Sequence, residues 1–294
     1  MAVILDTEAR YEERRNQLKE IMDLVRNKLC LASVEVGKDD SAKAYRHSQE
    51  KVAEELGIKY QPIDLKPDIS FGEFQSEIQK LNEDKNITGI IINKPFPFEN
   101  EENVFSLIDE DKDVEGVNPA NLGKLFMGNK SIADVTSDEP NAVLIPPTVR
   151  SILDVLVSSG NKEVYGKKVT LVGFSSIIGK PLALILANSF ATVSITHIGT
   201  YEKGDLADYV KTADILISAV GKPELIKGEW IKQDAVVIDV GTSKKEERIV
   251  GDVEFEKASK KASFITPVPG GVGKLTTIFL YHNLVLAHRR KIVD

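Results

Sequence analysis

Apolar runs at 168–173, 191–198, 213–220, 235–241 and 262–268 follow one another through the second half of the chain, and segments with helical character at 179–190 and 204–211 separate the first three. Strands apolar on both faces and alternating with helices have one stable arrangement, a parallel sheet covered by helices on both sides. This half therefore reads as a doubly wound, dinucleotide-type domain. The first half repeats the alternation less regularly. A polar helical pattern covers 7–28, CLASVEVG (30–37) is strand-like, and a helix is expected from Ser41 to Leu56 with Gly57 at its C′ position. KYQPIDL, a helix at 71–84 and the strand ITGIIIN (87–93) follow. The stretch 94–147 is irregular, rich in Pro, Asn and Asp, and reads as site-forming loops followed by a crossover; TTIFLYHNLVLAHRRK at the end has helical spacing with terminal cations.

At 294 residues the chain has the length of about two domains. Its 42% hydrophobic and 28% charged residues exclude disorder, collagen and coiled coil. A net charge of −7 has the wrong sign for an affinity built on nucleic-acid phosphates. The single cysteine, Cys30, excludes an intrachain disulfide and a thiol cluster for zinc, and its apolar setting suits a buried structural thiol. No metal site is visible. The N-terminus lacks a signal-peptide stretch, and the charge-free stretch 181–201 is interrupted by polar residues, so a cytoplasmic protein with no membrane partner is expected.

Three loops carry the chemistry of this pattern. KKVTLVGFSSIIGKP sets Gly173, Ser175 and Gly179 between a strand and a helix, where glycine allows close backbone approach and a helix N-terminus offers N–H groups to a pyrophosphate. Its spacing is G-x-S-x-x-x-G-x-P rather than G-x-G-x-x-G. VGKP (220–223) and DVGT (239–242) lie at later strand ends, where ligands meet a parallel sheet. PVPGGVGKLT (267–276) is no phosphate-binding P-loop, because Val268 stands at the first glycine position and Leu275 follows the lysine.

In this order, SAKAYRHSQEKVAEELGI, DKDVEGVNPANLGKL, LIPPT, YGKKVTLVG-x-S-x-IIGKP, GKPELIKGEWIK, VVIDVGT, VGDV and FITPVPGGVG resemble the methylenetetrahydrofolate dehydrogenase/methenyltetrahydrofolate cyclohydrolase family, over more than four-fifths of the chain. The resemblance implies an α/β protein of two domains: a catalytic, folate-binding domain at 1–143 completed by the C-terminal helix 273–294, and a Rossmann-like NAD(P)-binding domain at 144–272. It further implies a reduced folate as substrate, lying between the domains, hydride transfer to NAD or NADP, and a homodimer. Carried over by position, it assigns cofactor contacts to Gly173, Phe174, Ser175, Ile178 and Gly179, to His197 and Ile198, to Val220, Gly221 and Pro223, and to Gly241, Thr242 and Thr276. Folate contacts fall on Tyr45, Lys94, Pro95, Glu115, Pro269, Gly270 and Gly271, and the catalytic group on Tyr45, Gln49, Asn93 and Glu115.

The match is uneven where the second reaction is concerned. The family's Y-x-x-x-K motif supplies a lysine for hydrolysis of the methenyl carbon; here Tyr45 is followed one turn later by Gln49. Asn93 stands for a glutamine, and Glu115 for a pterin-binding aspartate. Lys51 points away from the Gln49 face, and Lys94 enters the pocket only if its strand has already ended. These departures predict an NAD(P)-dependent dehydrogenase with weak or lost cyclohydrolase. The alternatives are a full bifunctional enzyme using Lys94, Lys51 or Lys43, and a catalytically silent homologue. Phe174 and Ile198 replace an arginine and a serine that would meet an adenosine 2′-phosphate, which favours NAD over NADP. His47, His282 and His288 have ordinary surface or packing roles, and Trp230 is expected as a packing anchor.

Overall fold

The computed structural model describes residues 2–23, 29–137, 143–161 and 163–293. Its strands are β1 (Val3–Ile4), β2 (Cys30–Val36), β3 (Lys59–Leu65), β4 (Gly89–Ile92), β5 (Lys168–Val172), β6 (Thr192–Thr196), β7 (Ile215–Ser218), β8 (Val236–Asp239), β9 (Ser243–Lys245), β10 (Arg248–Val250) and β11 (Phe264–Ile265). The chain divides into two compact units.

One unit comprises Met1–Tyr11, Gly128–Thr136 and Thr148–Thr276. Its sheet is parallel throughout, in the order β1-β11-β8-β7-β5-β6. The five expected runs are all strands, and the inner ones, β7 and β8, are buried at every position. Strand β1 is a sixth that the sequence did not announce, since two residues carry no periodicity. Its pairing with β11 places the N-terminal residues with this sheet rather than within a 1–143 domain. Helices Gly179–Asn188 and Leu206–Thr212 fall where expected. Trp230 packs against a core of Val172, Leu216, Ile226 and Val237, as an anchor. The antiparallel hairpin β9–β10 is exposed and charged, and its lack of an apolar face hid it from pattern reading.

The other unit comprises Glu12–Met127, Ser137–Pro147 and Thr277–Asp294. Three parallel strands run in the order β3-β2-β4. Central β2 is buried along its whole length, while edge strand β3 is only partly covered. Helix Asp40–Leu56 ends at Gly57, whose φ of +70° suits the expected C′ role. The first helix ends at Met22, and the remainder of the expected 7–28 helix lies largely outside the described residues. The stretch expected to be loops contains helices Glu101–Phe105, Pro119–Met127 and Ile132–Thr136. The first and third span five residues each, too short to show a 3.6-residue period, and the first is set by a local cap, Asn100, which accepts from Glu102 and Asn103 N–H. The terminal helix Val272–Val293 is buried on every side from Thr277 to Ala287, so it is a core element rather than an amphipathic cover. No helix among the described residues is long and apolar enough to cross a membrane.

Candidate active site

In the three-stranded unit, the segment Lys112–Gly116 separates structural from functional charges. Lys112 is buried and donates to the carbonyls of Leu81, Asn82 and Asp84, closing the C-terminal end of helix Phe71–Glu83. Asp113 is also buried, and its carboxylate accepts from Asn118 N–H and Asn121 Nδ2, which shapes the following turn. Gly116 has φ +63°, and a Cβ there would lie 2.8 Å from the Ile145 backbone. Asn283 donates to the carbonyls of Val114 and Ile145, tying the segment to the terminal helix. Glu115 is half-buried. Burial, then the charge of Asp113, pushes its pKa up to about 8, against the pull of the Lys94 ammonium. A carboxyl held near neutrality can donate one hydrogen bond and accept others.

Gln49 and Asn93 meet through their side-chain amides, and Tyr45 stands one turn before Gln49 on the same helix. Gln49 is 0% and Asn93 3% exposed, and the two are joined through Ser33 of β2, also 0% exposed. Ser33 Oγ donates to Gln49 Oε1 at 2.8 Å, Gln49 Nε2 donates to Asn93 Oδ1 at 2.9 Å, and Asn93 Nδ2 donates back to Ser33 Oγ at 2.8 Å. The ring is closed and every member is neutral. Tyr60 OH also donates to Gln49 Oε1 at 3.3 Å, and Tyr281 OH donates to the Gln49 carbonyl at 2.7 Å. Tyr45 is half-buried; its hydroxyl is held in the protonated form by burial and by neighbouring Glu115.

Strand β4 ends at Ile92, so Asn93 is buried while Lys94, at a cis Lys94–Pro95 bond, is exposed. Its ammonium pairs with Glu101 at 2.6 Å and lies 5.5 Å from the Phe105 ring centroid. Pro95 is exposed, as are Lys51 and Lys43.

The six-stranded unit gathers its three loops at the carboxyl ends of β5, β7 and β8. Gly173 has φ +114°, and a Cβ there would come within 2.7 Å of the Ala219 carbonyl oxygen. A Cβ on Gly179 would lie 2.5 Å from the Gly173 carbonyl oxygen, so helix and loop are in backbone contact. Ser175 Oγ accepts from Ile178 N–H and its carbonyl from Lys180 N–H, and Pro181 has no N–H, so in this uncapped first turn Gly179 N–H is the donor turned toward an anion. This cradle fits a dinucleotide pyrophosphate. His197 Nδ1 accepts from Gly199 N–H, capping a short turn. His197, Ile198 and Val220 line a small apolar pocket together with Tyr201, Lys222 and Leu225, which sequence reading missed.

Two buried aspartates, also missed, hold these loops. Asp252 accepts from Ser218 Oγ, Val220 N–H and Lys222 N–H, each at 2.8 Å. Asp239 accepts from the N–H groups of Gly241, Asp252 and Val253. Burial pushes the Asp239 pKa up to about 7 against those bonds. The packing is reciprocal: a Cβ on Gly241 would strike the Asp252 carboxyl, and one on Gly251 that of Asp239. Gly221 and Pro223 are exposed beside this clamp, as is Thr242. Pro269 and Gly270 are exposed, Gly271 is buried against Pro267, and Thr276 lies on the first turns of the terminal helix. Among the described residues, no group of three His, Cys, Asp or Glu could hold a metal ion.

Comparison with known proteins accords with both halves. The family model for the tetrahydrofolate dehydrogenase/cyclohydrolase catalytic domain matches residues 5–115, and that for the NAD(P)-binding domain of the same family matches 146–292. The bifunctional protein FolD of Clostridium botulinum (strain Alaska E43 / Type E3) is 41% identical over 273 residues, 92% of this chain and 89% of that protein. The crystal structure of the bifunctional FolD methylenetetrahydrofolate dehydrogenase/cyclohydrolase from Campylobacter jejuni is 33% identical, with a TM-score of 0.89 and coverage of 100% of both chains. The Trypanosoma brucei N5,N10-methylenetetrahydrofolate dehydrogenase-cyclohydrolase, solved with NADP cofactor and inhibitor, is also 33% identical, with a TM-score of 0.89 and coverage of 100% of this chain and 99% of that one. With both domain models matched and relatives of this identity covered nearly end to end, this chain belongs to the tetrahydrofolate dehydrogenase/cyclohydrolase family.

Proposed function

We propose that the protein oxidises 5,10-methylenetetrahydrofolate to 5,10-methenyltetrahydrofolate and hydrolyses the product weakly or not at all. The nicotinamide of NAD or NADP supplies the hydride acceptor. The lone pair of a folate nitrogen expels the hydride from the bridging carbon, and the resulting cation is delocalised, so the step needs positioning more than acid–base help. Tyr45 offers an aromatic face to the folate ring system, and Glu115 offers a carboxyl to the pterin edge. Gly173, Ser175 and the N-terminus of helix Gly179–Asn188 hold the pyrophosphate, and Val220 and Gly221 flank it.

Hydrolysis differs in needing a group that prepares water for attack. The observation that carries the reading is the closed, neutral ring around Gln49, which leaves no base at the position following Tyr45 by one turn. Purified protein should form reduced nicotinamide on addition of the methylene substrate while hydrolysing the methenyl form at the buffer rate. Hydrolysis well above that rate contradicts the reading. Gln49→Lys should raise hydrolysis while oxidation persists.

NAD is the proposed preference. Phe174 is 45% and Ile198 54% exposed, and neither can hydrogen-bond or neutralise a 2′-phosphate. The nearby cations Lys180 and Lys222 lie against the rings of Phe174 and Tyr201. The ratio of specificity constants should favour NAD by about tenfold or more; a ratio favouring NADP overturns the preference.

A further inference from the structure

We propose that Ser33 is a positioning residue for the reduced folate, acting through Gln49 and Asn93; the inference rests on the folate-oxidising reading above. The direction of the hydrogen-bond ring is fixed by one backbone group. Asn93 Nδ2 donates to the Val34 carbonyl at 3.0 Å, and a carbonyl can only accept, so the nitrogen side of that amide must face β2. Its oxygen then faces Gln49, which must donate with Nε2. Gln49 Oε1 is thereby turned to Ser33, whose hydroxyl supplies the last donor. Each member donates to the next, an arrangement in which the bonds polarise one another.

Ser33 is the member that commits both amides at once, accepting from one and donating to the other. Those amides belong to residues close in the chain to the proposed folate-binding side chains. Gln49 follows Tyr45 by one turn on helix Asp40–Leu56, and Asn93 directly precedes Lys94. Glu115 lies within electrostatic range of both Tyr45 and Lys94. Removing the Ser33 hydroxyl leaves one Asn93 N–H without its acceptor and Gln49 Oε1 with only the longer Tyr60 bond, which frees both amides to turn and the Tyr45-bearing helix to shift.

The test is steady-state kinetics of Ser33→Ala, with Ser33→Cys as a near-isosteric variant that keeps a weak donor. Ser33→Ala should raise KM for methylenetetrahydrofolate by about tenfold, the scale expected for sub-ångström misplacement. KM for the dinucleotide should stay within about twofold, and Ser33→Cys should fall between Ser33→Ala and the parent. Because the ring opens only once, Ser33→Ala combined with Asn93→Ala should raise the folate KM no further than Asn93→Ala alone. An unchanged folate KM in Ser33→Ala, an equal rise in both KM values, or multiplicative effects in the double variant overturns the inference. These failures are distinct from failure of the functional reading, which the unsubstituted protein reports by its lack of oxidation or its rapid hydrolysis.

Discussion

The two units stabilise their loops by opposite electrostatic means. In the six-stranded unit, buried carboxylates Asp239 and Asp252 each collect three donors, and the loops of β7 and β8 are organised around negative charge. In the three-stranded unit, the corresponding interior is an uncharged ring of Ser33, Gln49 and Asn93. A buried carboxylate needs converging N–H groups, which the turns of 218–222 and 240–253 supply. An amide ring needs only its own members and one carbonyl. The first arrangement suits a loop that must present its backbone to a ligand. The second suits a floor that excludes charge, and with charge it excludes the amine that the family's motif would place there.

Near-isosteric exchanges between acid and amide sharpen this contrast. Asn93→Asp puts an oxygen against the Val34 carbonyl and forces a negative charge into the neutral ring. A loss of about 4 kcal/mol in urea unfolding at neutral pH is expected. The new carboxyl has its folded pKa raised, so the penalty is present above that pKa and absent below the unfolded value; the variant should approach its parent as pH falls toward 4. A pH-independent loss would break the comparison. Asp252→Asn, the reverse exchange, turns an NH2 toward backbone donors and should cost about 2 kcal/mol, with a rise in dinucleotide KM and none in folate KM.

The smallest effect belongs to Glu115. Its pKa, raised from 4.5 to about 8, makes the folded state hold a proton that the unfolded chain releases, so stability falls as pH rises from about 4.5 to about 8 and levels off above. Glu115→Gln should remove that slope, a difference of about 1 kcal/mol for a side chain with solvent access. The same exchange should remove an inflection near pH 8 from the profile of kcat/KM for methylenetetrahydrofolate.

Much of this was legible in the sequence, for identifiable reasons. Long buried strands such as β2, β7 and β8 carry strong apolar signals, and Gly173 and Gly179 mark a turn that only close backbone contact explains. Strand β1 and the five-residue helices Glu101–Phe105 and Ile132–Thr136 fall below the length at which periodicity can be read. Asp239 and Asp252 had a signal that went unread, since each adjoins or nearly adjoins a glycine at a strand end, in DVG and VGD. Ser33 left a fainter one as a hydroxyl inside the apolar run CLASVEV, where burial demands a partner. Position 49 reads as a missing lysine only against the motif of the family that the sequence resembles, and its link to Ser33, sixteen residues away, requires the fold.

The fate of the oxidised one-carbon unit tests the neutral floor most directly. When methylenetetrahydrofolate and dinucleotide are mixed with the protein and both products are followed by absorbance, a floor without a base predicts that methenyltetrahydrofolate accumulates one-for-one with reduced nicotinamide. Reduced nicotinamide rising while the methenyl form stays near zero, its carbon appearing as 10-formyltetrahydrofolate, would contradict it.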